Sequence, residues 1–249
     1  MNILITGGNG FLGQHLAAYL NQYGYNIFST GRAQPQNPPV SMEKWITAEL
    51  SIEQEVLMLL ETASPSVVIH TAAMSKPDEC MLYPEKCIAT NVTATALLLS
   101  AAKKNKVSKF IFISTDFVFG ENGPHAENDE PQPLNFYGDS KLKAEQIVKQ
   151  SGLNNCIIRP VFIYGPVWQN MRSTFLHWVK ENLEKGNAIK VVSDQLRTPT
   201  YVYDICAGIH AVIAGDKQGT FHLAGKDLLS PYHMAITVAA MLHLDSYLI

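Results

Sequence analysis

Short runs of β-branched and apolar residues alternate with stretches of helical periodicity along the chain up to Pro160. The apolar runs predict strands at Asn2–Thr6, Asn26–Thr30, Trp45–Ala48, Val67–His70, Lys109–Ser114 and Asn155–Arg159. The periodic stretches predict helices at Phe11–Tyr23, Ser51–Ser64, Pro84–Lys104 and Ser140–Gln150. This alternation predicts parallel β–α–β units, and therefore an α/β fold built on a doubly wound parallel sheet.

The alternation becomes less regular after Pro160. Helices are predicted at Met171–Lys185, Tyr203–Ala214 and Ser230–Leu242, and short strands at Ala188–Val192 and Phe221–Leu223. The Pro- and Gln-rich segment Gly31–Val40 is predicted to be a loop. We therefore expect a main domain over residues 1–160 and a smaller C-terminal lobe over residues 161–249, with residues 201–214 packing back on the main domain.

Composition and charge narrow the class of protein. The 249 residues carry 19 Lys and Arg against 22 Asp and Glu, so we expect no nucleic-acid partner. No apolar run approaches the roughly 20 residues that span a bilayer, so we expect no membrane partner. Met1 leads directly into apolar strand residues without a basic leader region, which favours a cytoplasmic protein. The four cysteines form no C-x-x-C pair and have no histidine at zinc-ligand spacing, so no metal site is predicted.

A glycine-rich turn follows the first predicted strand. Gly7, Gly10 and Gly13 are spaced three residues apart and lead into the first helix. Glycine permits a positive φ in a tight turn and lets backbone N–H groups approach a pyrophosphate at a helix N-terminus. An ordinary strand–helix turn is the alternative. We predict a dinucleotide-binding turn that also includes Phe11 and Leu12.

The end of the second predicted strand bears on which dinucleotide binds. An enzyme that uses NAD usually has an acidic residue here to bind the ribose hydroxyls. This chain has Thr30 and Arg32 and no acidic residue at that place. A guanidinium suits a 2′-phosphate, which a carboxylate would repel. We therefore favour NADP(H), with NAD(H) as the alternative, and predict that Thr30 and Arg32 bind the cofactor.

Three residues that suit catalysis follow the fifth predicted strand. Thr115 comes directly after that strand, Tyr137 follows 22 residues later, and Lys141 lies one helical turn beyond Tyr137. An unperturbed tyrosine has a pKa of about 10, and a nearby cation favours the phenolate and lowers that pKa. A carbonyl held between Thr115 and Tyr137 would be polarised for hydride attack, and Tyr137 would supply the proton.

The glycine turn and these three residues together resemble the extended short-chain dehydrogenase/reductase family. The resemblance implies a Rossmann domain that binds NAD(P), with Thr115, Tyr137 and Lys141 as the catalytic residues. It also implies a supporting asparagine at Asn91 and a packed strand histidine, rather than a base, at His70. Other cofactor-lining residues carried over from the family are Glu49, Leu50, Ala72, Ala73 and Met74.

Four segments narrow the resemblance further. Residues 78–91, 114–119, 133–138 and 194–200 are similar to segments of dTDP-4-dehydrorhamnose reductases. This similarity implies NADPH-dependent reduction of the C4 keto group of a nucleotide-linked deoxysugar. The substrate residues that it implies are Asp116, Phe162, Gln195 and Arg197.

The chain departs from that pattern at three positions. Phe117 stands where the family often has tyrosine, and Phe162 where it often has tryptophan. Arg197 replaces a glycine, and its context also resembles sugar-nucleotide epimerases, in which an arginine binds the pyrophosphate. Chains of the family usually continue past the point that matches Ile249, which raises the expectation of a further C-terminal tail closing the lobe.

Two other functions stay open at this point. The first is an NAD(P)-dependent sugar-nucleotide epimerase or dehydratase. The absence of an acidic residue after the second strand and the Asp116-Phe117 pair weigh against it. The second is a non-catalytic regulatory subunit like that of methionine adenosyltransferase, against which the complete set of catalytic residues weighs. The sequence leaves the oligomeric state open, with a homodimer as one alternative.

Overall fold

The computed structural model describes residues 1–33, 44–168, 171 and 173–249. Seven parallel strands form the central sheet in the order β3-β2-β1-β4-β5-β6-β9. Their bounds are β1 Asn2–Thr6, β2 Asn26–Gly31, β3 Trp45–Thr47, β4 Val67–His70, β5 Lys109–Ile113, β6 Asn155–Pro160 and β9 Gly219–Leu223. The strand order reverses between β1 and β4, where a doubly wound sheet opens its ligand crevice at the carboxyl ends of the strands. The predicted fold class is confirmed.

Helices cover both faces of this sheet, and β7 Ile163–Tyr164 pairs with β8 Thr200–Tyr201 outside it. The longer helices are α1 Phe11–Asn21, α2 Glu53–Ala63, α5 Ala94–Lys104, α6 Phe136–Gln150, α7 Phe175–Glu184, α8 Val202–Ala214 and α9 Pro231–Leu242. One apolar core joins the sheet to α1 and α8, and the other joins it to α2, α5 and α6. Buried residues of α7 and α9 form a smaller core of their own. No helix among the described ranges is long and apolar enough to cross a membrane.

The C-terminal part of the chain is shared between the sheet and the lobe. The apolar residues of α8 pack with α1, and β9 completes the sheet beside β6. Packing α8 and β9 against the sheet removes their apolar surface from water. This explains why these two C-terminal elements pack with the main sheet and not with α7 and α9. The domain boundary at residue 160 stays a prediction.

The predicted helix Pro84–Lys104 is interrupted. It consists of α4 (Pro84–Ile88), a π-helical turn (Ala89–Thr93) and α5, and the sequence analysis also missed the preceding α3, Pro77–Leu82. A π-turn widens the backbone locally and commonly occurs at functional sites. Asn91 lies in this π-turn and is almost completely buried.

Two further predictions need correction. The predicted strand Ala188–Val192 does not form. Its backbone is instead held by isolated bonds, such as the Ile189 N–H donating to the Leu248 carbonyl, while the Ile189 side chain fills the small core. Helix α6 begins at Phe136 and not at Ser140, because the Asn135 side chain accepts the Gly138 N–H and caps it. Most of the predicted loop Gly31–Val40, residues 34–40, lies outside the described residues.

Candidate active site

The glycine turn forms a tight cradle at the end of β1. Gly7 has φ +67°, and a Cβ added there would lie 2.7 Å from the Ala72 backbone nitrogen. A Cβ on Gly13 would collide with the Gly7 carbonyl oxygen, so α1 begins in direct contact with the turn. The Gly10 N–H closes the turn by donating to the Gly7 carbonyl at 2.8 Å. Only glycine allows the strand, the turn and the helix to pack this closely, and the packing presents the N-terminus of α1 in the arrangement that binds a pyrophosphate.

The other predicted cofactor residues surround this cradle in different ways. Leu12 is buried in the core, and Phe11 is half-buried at the start of α1. Thr30, at the end of β2, is completely buried, and its hydroxyl has no partner among the described residues. Arg32 is exposed and forms no ion pair within the described part of the chain. The exposed guanidinium of Arg32, which is unpaired as far as the described residues go, fits an anionic ribose substituent, whereas the buried Thr30 side chain offers no surface to a ligand.

The residues after β3 and β4 are held by the protein itself. The Glu49 N–H donates to the Glu55 carboxylate at 2.7 Å, and Leu50 is buried in the core. Ala72 and Ala73 are half-buried beside the glycine turn.

The three predicted catalytic residues lie together where β5 ends and α6 begins. Thr115 caps a 3₁₀ turn, Asp116–Val118, by accepting the Phe117 N–H, and its hydroxyl donates to Asp116 Oδ1 at 3.1 Å. A Cβ on Gly138 would collide with the Phe117 carbonyl oxygen, so α6 packs directly on this turn. Tyr137 is only 7% exposed. Close packing of α6 therefore brings Tyr137 beside Thr115.

Lys141 lies one turn along α6 and is fully enclosed. Its Nζ donates to the Ile113 carbonyl at 2.7 Å and lies 4.0 Å from the centroid of the Phe112 ring. Burial lowers its pKa to about 7, although the Glu145 carboxylate acts in the opposite direction.

The pKa of Tyr137 differs from the sequence-based expectation. Burial raises it above its ordinary value, a side-chain hydrogen bond with Thr115 acts in the opposite direction, and the adjacent Asp116 carboxylate raises it further. The expected lowering of the pKa of Tyr137 is wrong for this arrangement, because desolvation of the phenol is the largest effect on it. Tyr137 is therefore a protonated phenol near neutral pH.

Asn91 joins the segments that carry the site. Its side chain accepts the Met74 N–H at 2.8 Å and donates to the Met74 carbonyl at 3.0 Å and to Ser140 Oγ at 2.9 Å. Ser140 in turn donates to the Tyr137 carbonyl at 2.7 Å. Sequence reasoning missed Ser140, because a serine beside Lys141 carries no signal until the fold brings Asn91 to it.

The predicted substrate residues occupy the opposite, more open side. Asp116 forms an ion pair with Arg197, whose guanidinium lies 4.3 Å from the centroid of the Phe117 ring. Burial raises the pKa of Asp116, and Arg197 opposes that shift. Phe162 packs on Phe175 with a centroid separation of 5.4 Å. Gln195 is exposed.

Arg197 is held by a short stretch of backbone pairing. It exchanges two hydrogen bonds of 2.8 Å with Leu229. No pattern in the sequence predicts this pairing or the stacking of the guanidinium over the Phe117 ring. Among the described residues, no group of three histidine, cysteine or acidic side chains is placed to hold a metal ion.

Comparison with known proteins agrees with this geometry. The signature of the family described as RmlD substrate binding domain matches residues 1–249. Methionine adenosyltransferase 2 subunit beta of Rattus norvegicus is 30% identical over 98% of this chain and 73% of that protein. The dTDP-4-dehydrorhamnose reductase of Aggregatibacter actinomycetemcomitans is 27% identical over 95% of this chain and 77% of that protein.

The structural comparison leads to the same group. A crystal structure of dTDP-4-dehydrorhamnose reductase from Bacillus anthracis in complex with NADP superposes with a TM-score of 0.86 and 26% identity, covering 98% of this chain and 81% of that one. The resemblance drawn from the glycine turn and from Thr115, Tyr137 and Lys141 is thereby confirmed. The fold is of the NAD(P)-binding Rossmann type, and the family signature covers residues 1–249. The chain therefore belongs to the RmlD substrate-binding domain family.

Proposed function

We propose that this protein is an NADPH-dependent reductase of the C4 keto group of a nucleotide-linked deoxysugar. One observation carries the proposal: Thr115, Tyr137 and Lys141 share a buried site at the carboxyl end of β5, the strand that pairs with β4 next to the reversal of strand order. The family, and the relatives named as dTDP-4-dehydrorhamnose reductases, support the same class of substrate.

The cofactor residues of this proposal fall into two groups. The turn formed by Gly7, Gly10 and Gly13 would position the pyrophosphate against the free backbone N–H groups of the first turn of α1. Arg32 would hold the 2′-phosphate at the end of β2, and buried Thr30 would support the glycine turn through its carbonyl, which accepts the Gly8 N–H at 2.9 Å. When bound, the reduced nicotinamide supplies the hydride. The remaining predicted cofactor residues line the cradle through their backbone or side chains: Phe11, Leu12, Glu49, Leu50, Ala72, Ala73 and Met74.

The side chains of the site polarise the keto group and provide the proton. Tyr137 donates its hydroxyl proton to the keto oxygen, and its raised pKa keeps that proton available. Thr115 gives up its bond to Asp116 and donates a second hydrogen bond to the same oxygen. Charged Lys141 stabilises the phenolate that remains. The product is the C4 alcohol, with its oxygen protonated by Tyr137.

Substrate recognition is assigned to the open side of the site. Arg197 is the cation placed there, and a diphosphate would compete with Asp116 for its guanidinium. Phe162 and Gln195 complete the proposed wall. Phe117 lacks the hydroxyl that tyrosine would place beside the sugar, so this position favours a less polar ring substituent.

Reduction is tested by following NADPH consumption with a panel of nucleotide-linked 4-keto sugars. We expect turnover with at least one member of the panel, and a loss of about 10²–10⁴-fold in kcat in Tyr137→Phe. Phe136→Tyr, at the adjacent position of α6, is the control for disturbing the helix start. Interconversion of sugar nucleotides without net NADPH consumption would instead support an epimerase.

The proposed cofactor preference has its own test. Replacing Arg32 by aspartate exchanges an attraction to the 2′-phosphate for a repulsion, so NADPH should bind at least tenfold more weakly and NADH unchanged or better. Dissociation constants for both nucleotides measure this, with Arg32→Lys as the charge-preserving control. An unchanged ratio of the two constants contradicts the assignment of Arg32.

A non-catalytic role is the second candidate. The observation in its favour is that several relatives, at 29–30% identity, are named methionine adenosyltransferase 2 subunit beta. Size-exclusion chromatography with the methionine adenosyltransferase of the same organism tests it. A stable complex, together with no NADPH consumption on any keto sugar, would favour the subunit over the reductase.

A further inference from the structure

His70, the last residue of β4, is completely buried, and the proposed chemistry makes no use of it. Both of its ring nitrogens are nevertheless engaged. Nδ1 lies 2.7 Å from the Thr6 hydroxyl, and Nε2 lies 3.0 Å from the Thr95 hydroxyl. The imidazole therefore bridges the strand that precedes the glycine turn and the helix that follows Asn91.

The hydrogen bonds around His70 run in one direction. Thr95 donates its only hydroxyl hydrogen to the Asn91 carbonyl at 2.7 Å, so it must accept from His70 Nε2–H. With its proton on Nε2, the neutral ring accepts at Nδ1 from Thr6. The Thr6 hydroxyl itself accepts the Ala72 N–H at 3.4 Å. Each group therefore donates a hydrogen bond to the next in the order Ala72, Thr6, His70, Thr95 and Asn91.

The first end of this series of hydrogen bonds is the glycine turn. Ala72 packs against Gly7 so closely that no Cβ fits between them. Thr71 Oγ1 donates to the Thr6 carbonyl at 2.6 Å, which fixes the same contact from the other side. The backbone that would face a pyrophosphate is therefore tied to His70 through Thr6.

The second end is the segment that carries the catalytic helix. The carbonyl of Asn91 receives the Thr95 hydroxyl, and its side chain holds Met74 and Ser140. Ser140 is bonded to the Tyr137 carbonyl. The π-turn disturbs the regular helical bonding around Asn91, so Thr95 supplies a bond that holds the backbone in place there.

We propose that His70 is a positioning residue, which as the neutral Nε2–H tautomer fixes the glycine turn relative to Asn91 and so places Tyr137 and Lys141 against the cofactor cradle. Burial, with Lys141 nearby, lowers the pKa of His70 to about 3, which is consistent with a neutral ring. A protonated His70 would lose its acceptor at Nδ1 and place a second cation close to Lys141. The catalytic part of this inference rests on the proposed reductase function.

Nitrogen NMR of histidine-labelled protein tests the ring directly. The His70 signals are identified by their loss in His70→Gln. We expect a pyrrole-like Nε2 and a pyridine-like Nδ1, without titration between about pH 5 and 8. Adding NADPH should shift these signals, because the glycine turn is coupled to the ring. An Nδ1–H tautomer, a titrating ring or no response to NADPH would overturn the proposal.

Kinetics separate positioning from packing. His70→Phe keeps an aromatic ring but removes both hydrogen bonds. Because a small misplacement of reacting groups costs about 10²-fold in rate, kcat should fall by roughly that factor. KM for the sugar should change little. His70→Gln can still donate towards Thr95 and should recover a substantial part of kcat. His210→Phe, which can keep the stacking on Tyr23, is the control.

The outcomes can be told apart. If both variants lower only the melting temperature, and kcat per folded enzyme is unchanged, His70 only packs and the positioning role is wrong. If the wild-type protein reduces no keto sugar, the proposed reductase fails. The NADPH-dependent shift of the His70 signals then decides the positioning role alone, with a shift supporting it and its absence overturning it.

Discussion

The floor and the wall of the site are built in different ways. The floor, meaning Thr115, Tyr137 and Lys141 with Asn91 beneath them, is almost completely buried and connected through short hydrogen bonds to β5, α6 and the π-turn. The wall, meaning the proposed substrate residues Asp116, Phe162, Gln195 and Arg197, is partly exposed. Within it Asp116 pairs with Arg197, and an isolated bridge joins Arg197 to Leu229. Buried, fully bonded groups keep a fixed geometry, whereas exposed pairs rearrange easily.

This difference separates two tasks. Proton transfer needs fixed distances, so the floor is the natural place for the chemistry. Recognition of different sugars needs side chains that can change without disturbing the core, and the wall offers these. Accordingly, substitutions in the floor should act on kcat or on folding, and substitutions in the wall should act on KM.

The largest effect is expected from Lys141→Met. It removes the cation beside Tyr137, so kcat should fall by about 10²–10⁴-fold. The melting temperature should stay the same or rise, because a buried cation is replaced by an apolar side chain of similar length. NADPH consumption and thermal unfolding measure the two quantities. A clear fall in both would mean that Lys141 holds the floor together and would weaken the separation of tasks.

The next effect concerns the support of the floor. Glu145 forms a buried bidentate pair with Arg159, with separations of 2.7 and 2.9 Å. Glu145→Gln leaves the guanidinium without its counter-charge and should lower the free energy of unfolding by about 3–5 kcal/mol. Denaturant titration measures it.

An exposed pair on the same helix is the matched control. Asp139 and Lys143 are 2.8 Å apart and 39–51% exposed at their side chains. Asp139→Asn should cost only about 0.3–0.5 kcal/mol, because water screens the pair. Equal losses in Glu145→Gln and Asp139→Asn would contradict the view that burial makes the floor rigid.

A smaller effect is expected in the wall. Arg197→Ala removes the cation proposed for the diphosphate, and a lost charge-assisted hydrogen bond is worth about 1.5–3 kcal/mol, so KM should rise roughly ten- to hundredfold. The melting temperature should fall modestly, because the largely buried Asp116 carboxylate loses its counter-charge while both side chains of the pair keep 18–21% of their surface exposed. Arg197→Lys keeps the charge but not the bidentate hydrogen bonding of a guanidinium, so its KM should lie between those of the wild type and Arg197→Ala. A fall in kcat at unchanged KM would assign Arg197 to the chemistry instead.

The same division explains what the sequence could predict. The glycine turn, Tyr137 and Lys141 lie within short stretches whose spacing already implies their geometry, and the regular alternation of strands and helices was sufficient for the sheet. The contacts that complete the site join distant residues. Asn91 meets Ser140 from 49 positions away, and Arg197 meets Asp116 from 81. No local pattern carries such pairings. The resemblance named the wall residues, but the π-turn and the ion pair between Asp116 and Arg197 were found only in three dimensions.

The smallest effect is a pH dependence that runs in opposite directions for activity and stability. The pKa of Lys141 is lowered to about 7, against about 10.4 for a lysine in an unfolded chain. As pH rises through 7, Lys141 loses the charge that stabilises the Tyr137 phenolate, so the rate of reduction should fall severalfold between about pH 6 and 8. Over the interval from about 7 to 10.4 the unfolded chain binds more protons than the folded one, and the contribution of Lys141 to the free energy of unfolding therefore increases with pH.

Matched pH profiles of kcat and of denaturant unfolding for the wild type and Lys141→Met test this opposition. The difference between the two proteins should contain both trends, because the other titrating groups are common to them. If the wild-type rate stays flat while the stability difference still rises, Lys141 titrates as expected but its charge is not needed for the chemistry, and the catalytic part of the floor is reduced to Thr115 and Tyr137.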